Sequence, residues 1–168
     1  MWKSSLRSRL APIAVLAAVL AGCAVPGPSA VGADPATVLD RYGTPRERHP
    51  LAGGGERWFY PVGTLQQQVW AVDIDASGRV ARVTQVRTAE NFARVRLGID
   101  TEADIRREFG PPRTTEFYSR VGLVGWMFPY VENLVWNSEM VIYVDPQGIV
   151  RRIENGPDPR FLGGSDRH

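Results

Sequence analysis

Two histidines, one cysteine and a scatter of carboxylates and serines are the side chains of this 168-residue chain best suited to chemistry. Histidine is the usual proton-transfer group and zinc ligand. His49 stands in Arg46-Glu47-Arg48-His49-Pro50, which reads as a loop before a glycine run, and His168 lies far from it in sequence. Neither can complete a ligand set with the single cysteine. Asp73 and Asp75, two apart, would share one face of a strand and could act as an acid–base pair. An aspartate three residues before a glycine is also what a turn requires, and Asp75 reads in that role. Ser119 and Ser138 have no base in a recognisable nucleophile motif. Gly53-Gly54-Gly55 lacks the strand-to-helix setting in which a glycine-rich loop cradles phosphate. The pattern names no catalytic residue, no metal site and no cofactor, and the chain is not expected to be an enzyme.

Cys23 has another chemistry open to it. Lys3, Arg7 and Arg9 form a basic leader without acids, followed by an uncharged stretch from Leu10 to Leu20. That stretch is too short for a stable transmembrane helix and has the build of an export signal. It ends in Leu20-Ala21-Gly22-Cys23, which resembles the lipobox of bacterial lipoprotein precursors. The resemblance implies that residues 1–22 are a cleaved signal peptide and that the Cys23 thiol carries the lipid. Two or three acyl chains on one residue anchor a protein stably, whereas one chain is marginal. Residues 23–33, rich in Ala, Pro and Gly, read as a flexible tether. Ala24 in place of aspartate, by resemblance to enterobacterial sorting rules, favours the outer membrane, with the folded part facing the periplasm.

Processing also changes the charge. Removing Lys3, Arg7 and Arg9 from the 20 basic residues leaves 17 against 18 acidic ones, so a net of +2 becomes about −1. Without a basic surplus, the main argument for a nucleic-acid partner falls away. With no second cysteine, the fold gains nothing from disulfides and depends on apolar burial.

The elements that fill the exported part come in two copies. Val38-Leu39-Asp40-Arg41-Tyr42-Gly43-Thr44-Pro45-Arg46 returns as Ile105-Arg106-Arg107-Glu108-Phe109-Gly110-Pro111-Pro112-Arg113. Trp58-Phe59-Tyr60-Pro61 returns as Trp126-Met127-Phe128-Pro129, and the Asp75-to-Gly78 turn as Asp145-to-Gly148. Three landmarks in one order indicate a tandem duplication. Asp34-Pro35 and Gly43 cap a short helix. Thr101, with Glu102 and Asp104 after it, and Gly110 cap a second one, and Ala89–Leu97 reads as an additional short helix. After each helix the period becomes alternating, as in strands. The expected fold class is α+β: two tandem units, each of one or two short helices followed by a three-stranded antiparallel sheet. Their bounds are 34–88 and 89–157, with 158–168 as a disordered tail.

These landmarks resemble the small outer-membrane lipoproteins of the BamE (SmpA/OmlA) type. The helix from Phe92, the step Gly98-Ile99-Asp100-Thr101, the corner Phe109-Gly110-Pro111-Pro112 and the hairpin Val144 through Val150 carry the likeness over roughly residues 90–155. Two copies of one unit are also similar to the β-lactamase inhibitor proteins, whose concave sheet grips a partner. The resemblance implies a non-catalytic, membrane-tethered protein-interaction module in outer-membrane assembly or envelope integrity, with other envelope proteins as partners. The second architecture implies an inhibitor-like or ligand-sequestering module. The apolar segments 121–125 and 131–136 have no counterpart in the first unit, and exposed apolar surface marks interaction sites. Trp136, Leu123, Val124 and Tyr130 are therefore the expected partner contacts. Replacing Cys23 with alanine is expected to abolish labelling by radioactive palmitate and to shift the protein from the membrane to the soluble fraction of a lysed cell.

Overall fold

The computed structural model describes residues 25–162; the leader, Cys23 and residues 163–168 lie outside them. α1 (Pro35–Tyr42) begins where the Asp34 carboxylate accepts from the Thr37 backbone N–H at 2.9 Å, and its second end is closed by Gly43 at φ +77°. β1 (Glu47–Pro50), β2 (Glu56–Val62), β3 (Gln68–Ile74) and β4 (Val80–Gln85) then form one antiparallel sheet in chain order. The chain continues through α2 (Ala89–Phe92) to α3 (Glu102–Phe109), whose start is a reciprocal capping box between Thr101 and Asp104. β5 (Thr114–Tyr118), β6 (Leu123–Glu132), β7 (Trp136–Val144) and β8 (Val150–Pro157) form a second sheet, again in chain order.

The expected class is overturned on both counts. The protein is mostly β, with helix in only about 19 % of it, and each sheet has four strands, not three. The strands that the sequence hides are β1 and β5. Both are edge strands: Glu-Arg-His-Pro has no apolar alternation, and every residue of Thr-Thr-Glu-Phe is exposed. A strand with one free edge and little burial leaves no period-2 hydrophobic trace. The helix expected over Ala89–Leu97 is a single turn capped by Thr88.

The two sheets are nonetheless built to one plan. Trp58 pairs with Val72 and Trp126 with Ile142, and each third strand shifts register just before its last residue, at Asp73/Ile74 and at Tyr143/Val144. The Asp75 carboxylate accepts from the backbone of Ser77 and Arg79, and the Asp145 carboxylate from that of Gln147 and Ile149. The first sheet is buried on both faces: Trp58, Tyr60, Val72 and Ile74 pack with Val38 of α1, while Phe59, Val69 and Ala71 cluster with Val86. The second sheet buries Trp126, Phe128, Tyr130, Met140 and Ile142 against Phe92, Ile105 and Phe109.

Polar contacts join the halves. Arg106 pairs with Glu47 at 2.9 Å, and Arg57 donates to the Arg107 carbonyl at 3.2 Å. Gly110, at φ +71°, sits where a Cβ would lie 3.0 Å from the Phe59 ring, so a glycine is needed for the approach as well as for the turn. Arg87, only 1 % exposed, donates to the carbonyls of Gln66, Phe109 and Pro111 and lies 5.3 Å from the centroid of Phe128. It has no carboxylate partner among the described residues.

The described part of the expected tether is packed rather than free. Pro26 and Ala30 are buried, Pro28–Ala30 form a 3-10 turn, and Gly32 and Ala33 exchange backbone bonds with Val80. The expected tail is likewise ordered at its start. Asp158 is fully buried and caps a 3-10 turn at Pro159–Phe161. Replacing Arg87 with alanine leaves three carbonyls without their donor and is expected to cost about 3 kcal/mol of stability; urea unfolding measures it, and a loss below about 0.5 kcal/mol would show that the arginine does not join the halves.

Candidate functional site

Among the described residues, two places have the geometry of a site. The first is a cleft of about 360 Å³ between the first sheet and the α2–α3 segment, with Arg57, Arg82, Arg96 and Arg107 on its walls and Val86, Ile105 and Phe109 below them. Its arginines are spoken for. Arg57 donates to both Asp73 oxygens, at 2.6 and 3.0 Å, and Arg82 donates to Asp73 at 2.8 Å. Arg96 pairs with Asp100 at 2.5 Å, and Arg107 with Asp104. Arg57 also lies 3.3 Å from Glu108, and Arg94 on the same wall pairs with Glu90, so each guanidinium is matched by a carboxylate, no surplus charge is left for an anion, and the cleft is a seam between layers. Burial raises the Asp73 pKa, but the bonds from Arg57 and Arg82 outweigh it and hold the carboxyl below its ordinary value of 3.8. Asp73 is thus a structural counter-ion, and Asp75 is the turn residue that its spacing suggested. His49 bonds Glu47 at 2.9 Å within β1. Among the described residues no group of three or more His, Cys, Asp or Glu could hold a metal ion.

The second place is one end of the molecule, where the β2–β3 and β6–β7 hairpins turn. Glu132 and Trp136 are the last pair of the β6–β7 ladder, and the Val135 N–H closes the turn on the Glu132 carbonyl at 3.0 Å. Asn133 and Leu134 take φ values of +49° and +62°. Asparagine tolerates that region; leucine does so only at a cost of roughly 1–2 kcal/mol. Glycine would serve the turn better. Leu134 is 90 % exposed, and Val135 and Trp136 beside it are about two-thirds exposed. The tip therefore combines strained backbone with exposed apolar area.

Other apolar groups gather around it. Gln67 of the β2–β3 loop donates to the Asn137 side chain at 2.8 Å, and the Asp158 N–H donates to the Asn137 carbonyl at 2.9 Å. Arg160 bonds the Asp158 carboxylate and reaches the Leu65 carbonyl at 3.1 Å. These bonds bring exposed Leu65, Phe161 and Leu162 to the same end as Leu134, Val135 and Trp136.

The expected contacts divide. Trp136 stands on this surface. Tyr130 does not: it is fully buried, packs on Phe92 and donates to Asn155 at 3.1 Å, and burial first, then Glu132, push its hydroxyl up to about 12. It belongs to the core because it lies on the inner face of β6 with Trp126 and Phe128. Leu123 and Val124 are half-buried at the far end of β6, where Val124 pairs with Val144 and packs on the core, so they share no surface with Trp136. The contributions of Leu65, Phe161 and Leu162 had no sequence signal, because only the tertiary fold brings them together. Cys23 lies outside the described residues.

No protein-family model matches the chain, and no curated protein matches it. Among solved structures, the crystal structure of a DUF4309 family protein (YjgB) from Bacillus subtilis subsp. subtilis str. 168 aligns over 74 % of this chain and 78 % of its own, with 12 % identity and a TM-score of 0.30. A likeness at that score carries neither fold nor function.

The Asp73 pairing makes a pH prediction. A carboxyl held below its unfolded value gives stability that is complete above about pH 4 and is lost as the pH falls below it. Asp73→Asn leaves buried Arg57 with only the more exposed Glu108 carboxylate, 3.3 Å away, and is expected to cost about 3 kcal/mol at pH 7, with a shallower loss than the parent between pH 5 and pH 3 in urea titrations. Parallel curves for the two proteins would dismiss the coupling.

Proposed function

We propose that the mature protein is a lipid-anchored, non-catalytic binding module of the bacterial envelope, held to the outer membrane through Cys23 with its folded part in the periplasm. The reading places it in outer-membrane assembly or envelope integrity. One observation carries the binding role: the β6–β7 tip holds Leu134, Val135 and Trp136 in water, with Leu134 in an unfavourable left-handed backbone conformation. Folding gains nothing from either feature, since none of the three side chains helps the core. A contact that covers them recovers the apolar burial, and a tryptophan flanked by aliphatic groups is the usual centre of such a contact. The cleft between the layers supports no competing enzymatic reading, because its charged groups are paired with one another.

The test uses the full chain in its own envelope. Leu134→Ser and Trp136→Ala, alone and together, are expected to leave the unfolding midpoint within about 0.5 kcal/mol of the parent, as exposed positions do, and to lower recovery of chemically crosslinked envelope partners more than tenfold. Undiminished recovery from the double variant sinks the proposal.

A further inference from the structure

Among the described residues, three buried side-chain polar atoms have no hydrogen-bond partner: the Tyr42 hydroxyl, the Trp70 indole N–H and the Gln85 side-chain oxygen. Such atoms are rare in folded proteins, and each calls for a partner. These three are not scattered. Trp70 stands opposite both Tyr60 of β2 and Gln85 of β4, so the three side chains form one row across the first sheet. Tyr42 of α1 meets Tyr60 edge-on, with ring centroids 6.2 Å apart.

The second unit has the same row in other residues. Phe128 stands opposite Met140, Met140 opposite Asn155, and Phe109 holds the place of Tyr42, 6.0 Å from Phe128. Phe92 packs on that row: it is 1 % exposed, stacks on Phe109 at 4.5 Å, and meets the rings of Tyr130 and Phe128 at 5.1 and 6.2 Å. Asn155 accepts from the Tyr130 hydroxyl at 3.1 Å. In the first unit Val62 holds the place of Tyr130 and has no hydroxyl to give, while Tyr42 and Trp70 bring an O–H and an N–H where the second unit has Phe109 and Met140. The phenylalanine has no counterpart either. The Gly32 N–H bonds the Val80 carbonyl as the Gly98 N–H bonds that of Val150, which aligns the segments before them, and Val25–Val31 contains no aromatic residue.

We infer that the row of Tyr42, Tyr60, Trp70 and Gln85 is a binding site for a peptide segment of another chain that presents an aromatic side chain. The ring takes the place that Phe92 takes in the second unit. The amides beside the ring supply what the row lacks: a carbonyl oxygen accepts from the Trp70 N–H or the Tyr42 O–H, and an N–H donates to the Gln85 oxygen. A wholly apolar ligand would leave all three atoms unpaired, and an anion would set negative charge against the Gln85 oxygen. Tyr42, Trp70 and Gln85 are half-buried, so the row reaches the surface while its polar atoms lie beneath it. Pro28–Ala30 lies against β4, yet among the described residues the backbone of Val25–Val31 bonds only to itself and to Ala33. That segment can move aside without breaking a backbone bond to the sheet. Neither the lipid at Cys23 nor the β6–β7 tip takes part in this site.

The experiment uses the full chain in detergent micelles, isotope-labelled at the tryptophan indole nitrogens, with Trp70→Phe to identify the Trp70 signal. N-acetyl-phenylalanine methylamide is the probe and its alanine analogue the control. A ligand of that size is expected to bind with a Kd of about 1 mM. The Trp70 N–H signal is expected to move downfield with the phenylalanine compound and not with the alanine one, while the signal of exposed Trp136 stays. Tyr42→Phe keeps the ring and removes a hydroxyl that has no partner, so its unfolding midpoint is expected to equal or exceed the parent's. Its affinity for the probe is expected to fall about fivefold, the worth of one hydrogen bond. Where the probe binds, a Trp70 shift that is present without it and fades on dilution assigns the natural segment to a second copy of this chain; a concentration-independent signal assigns it to another protein, and both keep the site. No movement at about 10 mM probe, ten times the expected Kd, overturns the inference. Equal movement with the alanine compound, undiminished affinity in Tyr42→Phe, or a long-lived water on the Trp70 N–H that the probe does not displace overturns it as well.

Discussion

Arg87 is a cation buried in the middle of a small protein with three carbonyl oxygens, and not a carboxylate, around its guanidinium. Burial of that kind drives the proton affinity down, and the nearby charge of Arg46 adds to the effect, lowering it to about 9. The group is still charged at neutral pH, and its cost is offset by what it connects. Gln66 belongs to the β2–β3 loop, and Phe109 and Pro111 to the exit from α3, so one side chain at the end of the first sheet fixes where the second unit begins. The flat guanidinium suits this task because its N–H groups diverge in a plane, and it lies near the Phe128 ring at the same time. Lysine, whose three N–H groups sit on a single nitrogen, has no planar fork to spread over these acceptors.

Once the halves are set in that way, other features follow. Gly110 must have no side chain because Phe59 is pressed against it. Arg57 can reach across to the α3 carbonyl while its other edge satisfies Asp73, so a charge balance internal to the first sheet also becomes a contact between units. The Gln66–Gln67 loop, held by Arg87 on one side, meets Asn137 on the other. The exposed apolar end therefore depends on a buried cation that touches none of its side chains. A change at position 87 would loosen that end before it altered the inside of either sheet.

Much of this was legible in the sequence, and the remainder was hidden for specific reasons. Asp34, Gly43, Thr101 and Gly110 mark helix ends because capping chemistry is local, and Asp75 and Asp145 mark turns for the same reason. Trp58 and Trp126, which recur at the same place in the two units, stand in the core. β1 and β5 left no trace because edge strands with exposed faces have no need of a hydrophobic period. The count of strands came out wrong for that reason, and the fold class for that reason and because the expected Ala89–Leu97 helix is only a single turn. Tyr130 looked like a contact because an aromatic residue in a unit-specific segment can lie on either face of a strand, and nothing local tells which. Arg87 gave no sign at all, since an arginine after a strand is ordinarily a solvated one.

The apolar end poses the converse problem. Leu134, Val135 and Trp136 are visible in the sequence as an apolar segment, but a segment of that composition is as easily a core strand. What separates the two is the turn. A tight hairpin with Asn133 and Leu134 in left-handed backbone leaves Leu134 and Val135 beyond the ladder and Trp136 on its last rung, and the loop is too short to fold these side chains back onto either sheet. Leu65, Phe161 and Leu162 then arrive from elsewhere in the chain through bonds to Asn137, Asp158 and the Leu65 carbonyl. A backbone that places leucine where glycine would be easier, and a fold that brings three more exposed apolar residues to meet it, make that surface the part of this protein whose chemistry its own folding does not account for.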